Sequence, residues 1–384
     1  MKILLASTSS GSRGGGELAL LYLGRALVAR GHEVTLWAST HPRMDELSTR
    51  FAEFGSVRRS PYVNTYDRRG RSLSSYFDTT TARRVAEEWE RLAPDVVHLN
   101  KQNLEDGLDL LAAAKLSALP SLAMIHITQS AIYLRAALAG CRDFVARRAL
   151  QRFPGLLVTT PGGRERDLGT FLSDASRIRT VLNGVPIPDR TALAAWRPKK
   201  RAELGLGEDE ILFLAVGRMT LQKRPMLFLD LAERIRHQMP AAKFLWVGDG
   251  AMSAEWDRHV ATKSLGHFVH RIPWQQDVTA YFAAADVFLH VADFEGLAFA
   301  VLESIASALP CAITPNLLTE MPFLDSGNSI EIHGDLKWLA LVSDPTKRAA
   351  LGNAARQLAE ERFSFGRMAG DYEQIYSAAI RQRP

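Results

Sequence analysis

Cysteine is scarce in this sequence of 384 residues, which has only Cys141 and Cys311. The two lie far apart along the chain and show none of the close spacings that zinc ligands have. A disulfide framework of the kind that small secreted domains use is therefore excluded. We expect two reduced thiols with structural roles, in a protein of a reducing compartment.

Long apolar runs are missing as well. No stretch approaches the roughly 20 consecutive apolar residues that a membrane-spanning helix needs. The apolar residues 3–6 are too few, and too soon followed by polar residues, for a secretory signal. With no internal repeat and no low-complexity tract, the sequence predicts a globular, cytoplasmic protein.

Charge of one sign is not in large excess, but it is unevenly distributed. The formal net charge is +5. Residues 1–190 contain 26 Lys and Arg against 19 Asp and Glu, whereas residues 191–384 contain 21 against 23. The basic surplus of the first half fits an anionic membrane surface or an anionic acceptor, and equally a solvated face that binds nothing. The arginine-rich residues 51–84 carry no recognised nucleic-acid-binding motif, so nucleic acid is not a predicted partner.

The sequence does contain an alternation of short apolar runs and amphipathic stretches along its whole length. Hydrophobic residues make up 47% and charged residues 23%, as in ordinary globular proteins. The length suffices for two domains, and the alternation predicts the α/β class with parallel sheets. The predicted strands are residues 2–6, 32–37, 95–100, 120–127, 155–160, 177–182, 211–216, 244–250, 269–274, 287–291 and 310–314.

Residues 293–315 are the most informative stretch. Glu295 precedes Gly296 and an apolar helix, and Glu303 follows eight positions later, on nearly the same side of that helix. Glu303 interrupts apolar residues, and a carboxylate there needs a partner such as a pair of ligand hydroxyls. Gly296 lets a ligand approach the backbone at the helix start. Two solvated surface glutamates are the alternative.

Glycines at the start of the first helix suggest an anion site. Gly14, Gly16 and Ala19 formally fit the dinucleotide fingerprint, so a nicotinamide oxidoreductase has to be weighed. No Asp or Glu ends the second strand to hold a ribose, which argues against that class. Glycines at a helix start nevertheless present amides to a diphosphate.

A second anion site is predicted after the strand at 211–216. Gly217 and Arg218 end this strand, and Lys223 follows five residues after Arg218. Arginine can bind two phosphate oxygens at once and lysine acts as a point charge, so the two cations would neutralise a diphosphate.

Together these motifs resemble glycosyltransferase family 4, whose members are retaining, nucleotide-sugar-dependent enzymes of the GT-B fold. The likeness covers nearly the whole chain and is best over residues 11–37 and 181–315. The matching motifs are G-G-G-E at 14–17, V-L-N-G-V at 181–185, G-R-x4-K at 217–223 and E-G-x6-E at 295–303. After Pro315 the chain departs from the family pattern, because the usual Gly-Gly pair is absent.

The resemblance implies a role for each of these residues. Glu295 and the amides after Gly296 would hold sugar hydroxyls, Glu303 the ribose diol, and Trp274 the base. His126, at the end of a first-domain strand, would orient the sugar. The predicted catalytic residues are Glu295, His126, Arg218 and Lys223. The predicted donor-binding residues are Gly15, Gly16, Gly217, Arg218, Lys223, Trp274, Glu295, Gly296, Leu297, Ala298 and Glu303.

The family's GT-B fold implies two Rossmann-like domains that face a cleft. We predict an acceptor-binding domain at 1–187, a nucleotide-sugar-binding domain at 188–365, and a final helix at 366–384 that returns to the first domain. Residues 51–84 are expected to form an acceptor-side loop, residues 131–153 a basic amphipathic helix, and residues 189–210 a linker.

The expected partners are a nucleotide sugar, most readily a UDP- or GDP-sugar, and an acceptor that is a sugar, a lipid-linked sugar or another hydroxyl compound. No Asp-x-Asp pair ends a strand, so no catalytic metal and no further cofactor are expected. The basic first domain suggests peripheral contact with an anionic membrane at its inner face. The pathway would be the synthesis of a surface polysaccharide, glycolipid or other glycoconjugate. The alternatives are the oxidoreductase, a non-catalytic nucleotide- or carbohydrate-binding protein, and a phosphorylase or epimerase of the same fold.

Overall fold

A computed structural model describes residues 1–381 and divides them into two compact units, each built around its own parallel sheet. Unit 1 comprises Met1–Gly184 together with the chain from Phe365 onward, and unit 2 comprises Val185–Ser364. The chain thus leaves unit 1 three residues before the boundary expected from the sequence. The predicted α/β class with two Rossmann-like domains is confirmed.

Strands and helices alternate through unit 1. Its strands are β1 Lys2–Ser7, β2 Glu33–Ser39, β3 Ser56–Ser60, β4 Val96–Asn103, β5 Ser121–Ile127, β6 Leu156–Thr159 and β7 Ile178–Thr180. Its helices before the chain leaves are α1 Gly15–Ala29, α2 Asp45–Ala52, α3 Arg71–Phe77, α4 Thr79–Leu92, α5 Leu108–Ser117, α6 Ala139–Arg152 and α7 Gly163–Leu172. Within the described residues the strands form one sheet in the order β3-β2-β1-β4-β5-β6-β7.

The sheet of unit 1 is covered on both faces, as its continuous apolar strands predict. Side chains alternate along a strand, so Ile3 and Leu5 of β1 enter one core cluster while Leu4 and Ala6 enter another. All four are at most 1% exposed.

Unit 2 has the same alternation. Its strands are β8 Ile211–Val216, β9 Ala242–Val247, β10 Val269–Ile272, β11 Val287–His290, β12 Cys311–Ile313 and β13 Ser329–Glu331. Its helices are α8 Arg190–Glu203, α9 Pro225–Gln238, α10 Ser253–Thr262, α11 Thr279–Ala284, α12 Phe299–Ala306, α13 Pro315–Leu318, α14 Leu339–Ser343 and α15 Pro345–Arg362. In the described part of this unit the strand order is β10-β9-β8-β11-β12-β13. The order brings the ends of β8 and β11 together, although their sequences are far apart.

After α15 the chain returns to unit 1 as α16, Phe365–Arg381. Its apolar stripe, which includes Met368, Tyr372 and Tyr376, joins the core cluster of Ile3 and Leu5. The Tyr376 hydroxyl is hydrogen-bonded to Nδ1 of the buried His98 at 2.8 Å. The last three residues of the predicted segment 366–384 lie outside the described residues.

Two predicted irregular segments are in fact regular. Residues 51–84 are not one loop. They contain the end of α2, the strand β3, the helix α3 and the start of α4. β3 lies at the sheet edge, where its arginines tolerate solvent and Arg58 pairs with Glu88 at 2.9 Å. Asp78 begins α4 by accepting a hydrogen bond from the Thr81 amide at 2.9 Å.

The predicted linker at 189–210 is largely the helix α8. Asp189 caps it by accepting the backbone amides of Thr191 and Ala192, at 2.8 and 3.1 Å. Arg197 and Arg201, spaced four residues apart, both bind the buried Asp286 carboxylate. The polar residues that suggested a linker are therefore the side chains that hold the helix. The predicted helix at 131–153 begins only at Ala139, after a series of turns.

Candidate functional site

Three loops meet at the carboxyl edge of the sheet of unit 2, which is where open α/β sheets bind ligands. They follow β8 (residues 217–224), β11 (291–298) and β12 (314–320), and the third contains the short helix α13. The amide of Asp293 donates to the carbonyl of Gln222 at 2.8 Å, and the Gln222 side chain donates to the carbonyl of Phe294 at 2.9 Å. Asn316 donates to the Asp293 carbonyl at 2.8 Å. The loops are thereby fixed against one another.

Glu295 and Lys223 form an ion pair where the first two loops meet. Glu295 is only 7% exposed. His290, at the end of β11, approaches the same carboxylate, with 3.5 Å between its Nε2 and Oε1 of Glu295. The amide of Glu295 donates to the Glu320 carboxylate at 2.9 Å. The structure therefore brings two of the predicted catalytic residues into direct contact.

The surroundings keep the Glu295 carboxylate ionised. Burial by itself would raise the pKa of Glu295, but the Lys223 ammonium and the His290 ring outweigh it and lower that pKa to about 2. Burial lowers the pKa of His290, and the Glu295 carboxylate only partly offsets that effect. At neutral pH the site thus contains a carboxylate that can accept hydrogen bonds beside an ammonium that can donate them.

Arg218 follows Gly217 directly at the end of β8 and is exposed. Gly217 has a φ of 155°, and its carbonyl accepts a hydrogen bond from the Trp246 indole at 2.9 Å. Gly248, after β9, has a φ of 142°, and a Cβ atom there would overlap the Gly217 carbonyl. The two glycines permit a close backbone approach that fixes the origin of the Arg218 loop.

Glu303 lies half-buried on α12, eight residues after Glu295. Gly296, Leu297 and Ala298 form the turn between that loop and the helix, whose N-cap is Ala298. The Glu303 carbonyl accepts hydrogen bonds from the amide and hydroxyl of Ser307. That Glu303 faces the same ligand as Glu295 stays a prediction.

Trp274 stands half-buried after β10, at the same edge. Its backbone amide donates to the Asp249 carboxylate at 2.8 Å, and Arg271 donates to the other oxygen of that carboxylate at 2.9 Å. Sequence reasoning missed Asp249 and also His290. The available signals were a Gly-Asp-Gly turn after a strand for Asp249 and a histidine that ends an apolar strand for His290.

The remaining predicted residues belong to unit 1. Gly15 and Gly16 form the first turn of α1, and the Gly16 carbonyl accepts a hydrogen bond from the Asn100 side-chain amide at 3.0 Å. At the end of β5, Nε2 of His126 lies 2.8 Å from Oδ1 of Asn100. Asn100, which sequence reasoning did not select, thus links the glycine turn to the histidine.

This hydrogen-bond pattern defines the state of His126. The NH2 group of Asn100 is directed to Gly16, so its oxygen faces Nε2 of His126, which must carry the hydrogen. Burial lowers the pKa of His126 to about 4, and the Asp106 carboxylate offsets this only in part. The ring is therefore neutral at physiological pH, and its Nδ1 can accept a hydrogen bond.

A group of potential metal ligands exists in unit 2, but away from these loops. The ligand atoms of Asp230, Glu233 and His259, on α9 and α10, lie within 4.8 Å of one another. Lys263 already pairs with Glu233 at 3.1 Å, and an ammonium group in that position opposes the binding of a cation. Among residues 1–381, no helix combines the length and the apolar character that a membrane span requires.

Two family models match the chain in succession. The model described as Glycosyltransferase Family 4 matches residues 13–187, and that described as Glycosyl transferases group 1 matches residues 197–319. The first lies within unit 1 except for its last three residues, and the second lies within unit 2.

Curated proteins match with low identity. An Escherichia coli UDP-Gal:alpha-D-GlcNAc-diphosphoundecaprenol alpha-1,3-galactosyltransferase is 28% identical over 144 residues, which are 37% of either chain. The N-acetyl-alpha-D-glucosaminyl L-malate synthase of Bacillus anthracis is 23% identical and covers 99% of this chain and 98% of its own. The chain spans between 39% and 60% of the length of four further curated relatives.

Solved structures match over nearly the full length. HepE of Anabaena, crystallised with UDP and glucose, has a TM-score of 0.76 at 17% identity, covering 98% of this chain and all of its own. At that identity the likeness concerns the fold, and it confirms the predicted GT-B fold class.

Proposed function

The chain belongs to glycosyltransferase family 4, and from that premise we propose that it transfers a sugar from a nucleoside-diphosphate sugar to an acceptor hydroxyl with retention of the anomeric configuration. The observation that carries this proposal is the charged centre of unit 2. There the partly buried Lys223 pairs with the buried Glu295, and Arg218 stands exposed after a glycine at the same sheet edge.

The proposed roles follow from the charges. When the glycosidic bond of the donor breaks, negative charge accumulates on the leaving diphosphate, and fixed cations at that point stabilise the transition state. Arg218 and Lys223 would supply those cations. Lys223 has three donor hydrogens, so it can keep its bond to Glu295 while it binds a phosphate oxygen.

The carboxylates would recognise hydroxyl groups. Glu295 is ionised and accepts hydrogen bonds only, which suits the hydroxyls of a sugar. Glu303 would accept the two hydroxyls of the ribose, and the turn from Gly296 to Ala298 would offer backbone amides. The predicted contact between Trp274 and the nucleotide base is part of the same proposal.

His126 would accept a hydrogen bond from a sugar hydroxyl. Its Nε2 hydrogen is engaged with Asn100, so Nδ1 is the atom available for a ligand. The neutral ring gives this contact a hydrogen-bonding rather than an acid role at neutral pH. Its part in orienting the donor sugar stays a prediction, as does that of Gly15 and Gly16.

The proposed donor is a UDP- or GDP-sugar, used without a catalytic metal. The Anabaena protein with the same fold was crystallised with UDP, and the Escherichia coli relative is named for a UDP-galactose donor and a lipid-linked acceptor. A lipid-linked sugar would place the reaction at the cytoplasmic face of a membrane, in the synthesis of a polysaccharide or glycolipid. The basic surplus of the first half supports such a location.

The proposal can be tested by comparing two variants in a nucleotide-release assay over a panel of UDP- and GDP-sugars. Arg218→Ala should lower kcat about a hundredfold, because its charge acts mainly on the transition state. Glu303→Ala should raise the KM for donor about tenfold and leave kcat near that of the wild type, because the ribose changes little during the reaction. Arg258→Ala, an exposed arginine on α10, is the matched control.

Three results would contradict the proposal. Release of no nucleotide from any donor, with donor still bound, would favour a non-catalytic binding protein. Reduction or binding of NAD would favour the oxidoreductase. Full turnover by a folded Arg218→Ala variant, with loss of turnover in a folded Glu303→Ala variant, would show that the two roles are assigned wrongly.

A further inference from the structure

Large apolar side chains stand exposed on one part of unit 1. They lie in the turns before α6, on α6 itself and at the end of α3, and we call them the α6 patch. Its members and their exposed fractions are Phe77 at 70%, Ile132 at 63%, Tyr133 at 65%, Leu134 at 45%, Leu138 at 69% and Phe144 at 67%. These six are more than half of the eleven large hydrophobic residues that the described chain exposes. Such a concentration marks an interaction surface.

The apolar turns of the patch are fixed in place by buried polar groups. The Asp143 carboxylate accepts the backbone amides of Ala131 and Ile132, at 2.7 and 3.0 Å. Arg142 pairs with Glu105 at 2.7 Å and donates to the Ala137 carbonyl at 3.2 Å. Asp143 is 6% and Arg142 9% exposed. The exposed side chains are therefore presented by an ordered segment.

The backbone of this segment is also strained. Arg135 has a φ of 52° and Leu138 a φ of 55°, a left-handed conformation that side chains other than glycine disfavour. Leu138 is the N-cap residue of α6 and directs its side chain into solvent. This backbone conformation holds the Leu138 side chain in solvent rather than in the core.

Charge identifies the kind of partner. Residues 131–152 contain five arginines, and their only acidic residue is the buried Asp143. Arg135, Arg147 and Arg148 are exposed among the apolar side chains. The nearby acidic groups are already neutralised, because Glu105 pairs with Arg142 and Asp78 with Arg68. The surface is apolar and uniformly basic.

The end of α3 extends the same surface. Arg152, in the last turn of α6, donates to the Tyr76 hydroxyl at 3.1 Å, and Phe77 is the next residue. Phe144, Arg148 and Arg152 are spaced four residues apart, so they follow one line along α6 toward Phe77. Arg71 at the start of α3 is exposed as well.

We infer that the α6 patch docks on a bilayer of anionic phospholipid. Its leucine, isoleucine and aromatic side chains would enter the boundary between headgroups and acyl chains, while its arginines bind the lipid phosphates. This inference rests on the proposed function for its purpose, because a lipid-linked acceptor has to be reached at a membrane. The inference specifies which residues contact the membrane. The uneven distribution of charge between the two halves of the chain does not specify them.

The test is sedimentation with vesicles, using the full chain. The probes are vesicles of phosphatidylcholine alone and vesicles with equal amounts of phosphatidylcholine and phosphatidylglycerol. The wild type should bind the second and not the first, and added salt should weaken that binding. The double variant Leu134→Ser/Leu138→Ser should lose at least tenfold in affinity, because it removes apolar area that binding buries. Arg135→Gln/Arg148→Gln should lose a similar amount.

Matched controls lie elsewhere on unit 1. Leu116→Ser removes a leucine that is 53% exposed on α5, and Arg83→Gln removes an exposed arginine on α4. Both should bind as the wild type does. Cys141, the exposed thiol at the start of α6, gives a second readout, because Cys311 is buried and should not react. A polarity-sensitive dye on Cys141 should brighten on the anionic vesicles.

Three outcomes would overturn the inference. They are absence of binding to anionic vesicles, equal binding by the wild type and the leucine variant, and concentration-dependent self-association that the leucine variant abolishes without any lipid binding. Release of nucleotide from donor with a water-soluble acceptor is measured in parallel. Loss of vesicle binding with normal release contradicts only the patch, whereas absent release with normal vesicle binding contradicts only the proposed enzyme activity.

Discussion

Glu295 illustrates how single residues maintain this site. A buried carboxylate is unfavourable, yet its pKa is lowered to about 2 because Lys223 and His290 lie against it. Without these two neighbours, burial would raise the pKa of Glu295 and favour its protonated form. That form would donate as well as accept hydrogen bonds. The pair therefore keeps the acceptor character of Glu295 intact before any ligand arrives.

This pair predicts how stability depends on pH. The pKa of Glu295 falls from the ordinary 4.5 in the unfolded chain to about 2 in the native state. The unfolded state thus binds more protons between these values, so the contribution of Glu295 is complete above about pH 4.5 and is lost as the pH falls toward 2. Glu295→Gln should lower the free energy of unfolding by roughly 2–3 kcal/mol near pH 7 and flatten its decline below pH 4.5.

Urea unfolding at a series of pH values from about 7 to 3 would measure both effects. Glu255→Gln, which changes an exposed glutamate on α10, is the control and should leave the curve unchanged. If the acid limb of Glu295→Gln matched that of the wild type, the carboxylate would not be ionised in the way we describe.

At the scale of elements, the sequence predicts strands better than their connections. Short, continuous apolar runs such as residues 211–216 and 287–291 are typical of strands in a parallel sheet that is covered on both faces, and both contain strands. Helix α8 is not predicted from the sequence, because its surface is polar and it contains Pro198. Two of its arginines bind Asp286, which is remote in sequence, and a reading of the local sequence cannot foresee that contact. The edge strand β3 is not predicted either, because its two arginines interrupt the apolar pattern by which strands are found.

In the candidate site, too, the sequence predicts some features, whereas others appear only in the folded structure. Motif spacing and the family resemblance together select Glu295, Glu303, Arg218 and Lys223. The ion pair between Lys223 and Glu295, and the contacts of Asp249 and His290, arise from the strand order β10-β9-β8-β11. Spacing along the chain carries no information on which strand lies beside which, so these contacts required the fold.

The glycine contact between the loops after β8 and β9 leads to a prediction for the element that carries Arg218. In Gly248→Ala the new methyl group would overlap the Gly217 carbonyl, and the φ of 142° disfavours any side chain. We expect a loss of about 2–4 kcal/mol in stability and weaker binding of the donor nucleotide, because the Arg218 loop must shift.

Thermal unfolding and calorimetric titration of UDP and GDP would measure these two effects. The control is Gly334→Ala, since no atom lies within 4 Å of the position that its Cβ would take. A Gly248→Ala variant as stable as Gly334→Ala would refute the close approach of the two loops.

At the scale of the whole molecule, unit 1 depends on a helix that follows all of unit 2 in sequence. Helix α16 buries Met368, Ala369, Tyr372, Tyr376 and Ala379 against the core of unit 1. Glu373 adds an ion pair to Arg30 and a hydrogen bond to His32, both at 2.7 Å. The core on one face of the first sheet is therefore incomplete without this distant segment.

Substitutions of Tyr376 would measure how far the stability of unit 1 depends on α16. Tyr376→Ala should destabilise unit 1 by about 3–5 kcal/mol, the range for a large aromatic residue removed from a core. Tyr376→Phe should cost only about 1–2 kcal/mol, for the lost hydrogen bond to His98. Thermal unfolding would rank them, with the exposed Tyr133→Phe as control. Equal stability of all three variants would mean that α16 does not pack on unit 1 as described.

The two ends of unit 2 lie side by side, since the amide of Val185 donates to the Phe363 carbonyl at 2.7 Å and Val185 pairs with Ser364. In the sequence, unit 2 is thus an insertion between two segments of unit 1, and the order of synthesis follows from this. A ribosome completes every strand of the first sheet early, but α16 emerges only after all of unit 2. The face of β4 that Tyr376 covers, where its hydroxyl binds His98, must stay uncovered meanwhile, so the half of the protein that is made first is finished last.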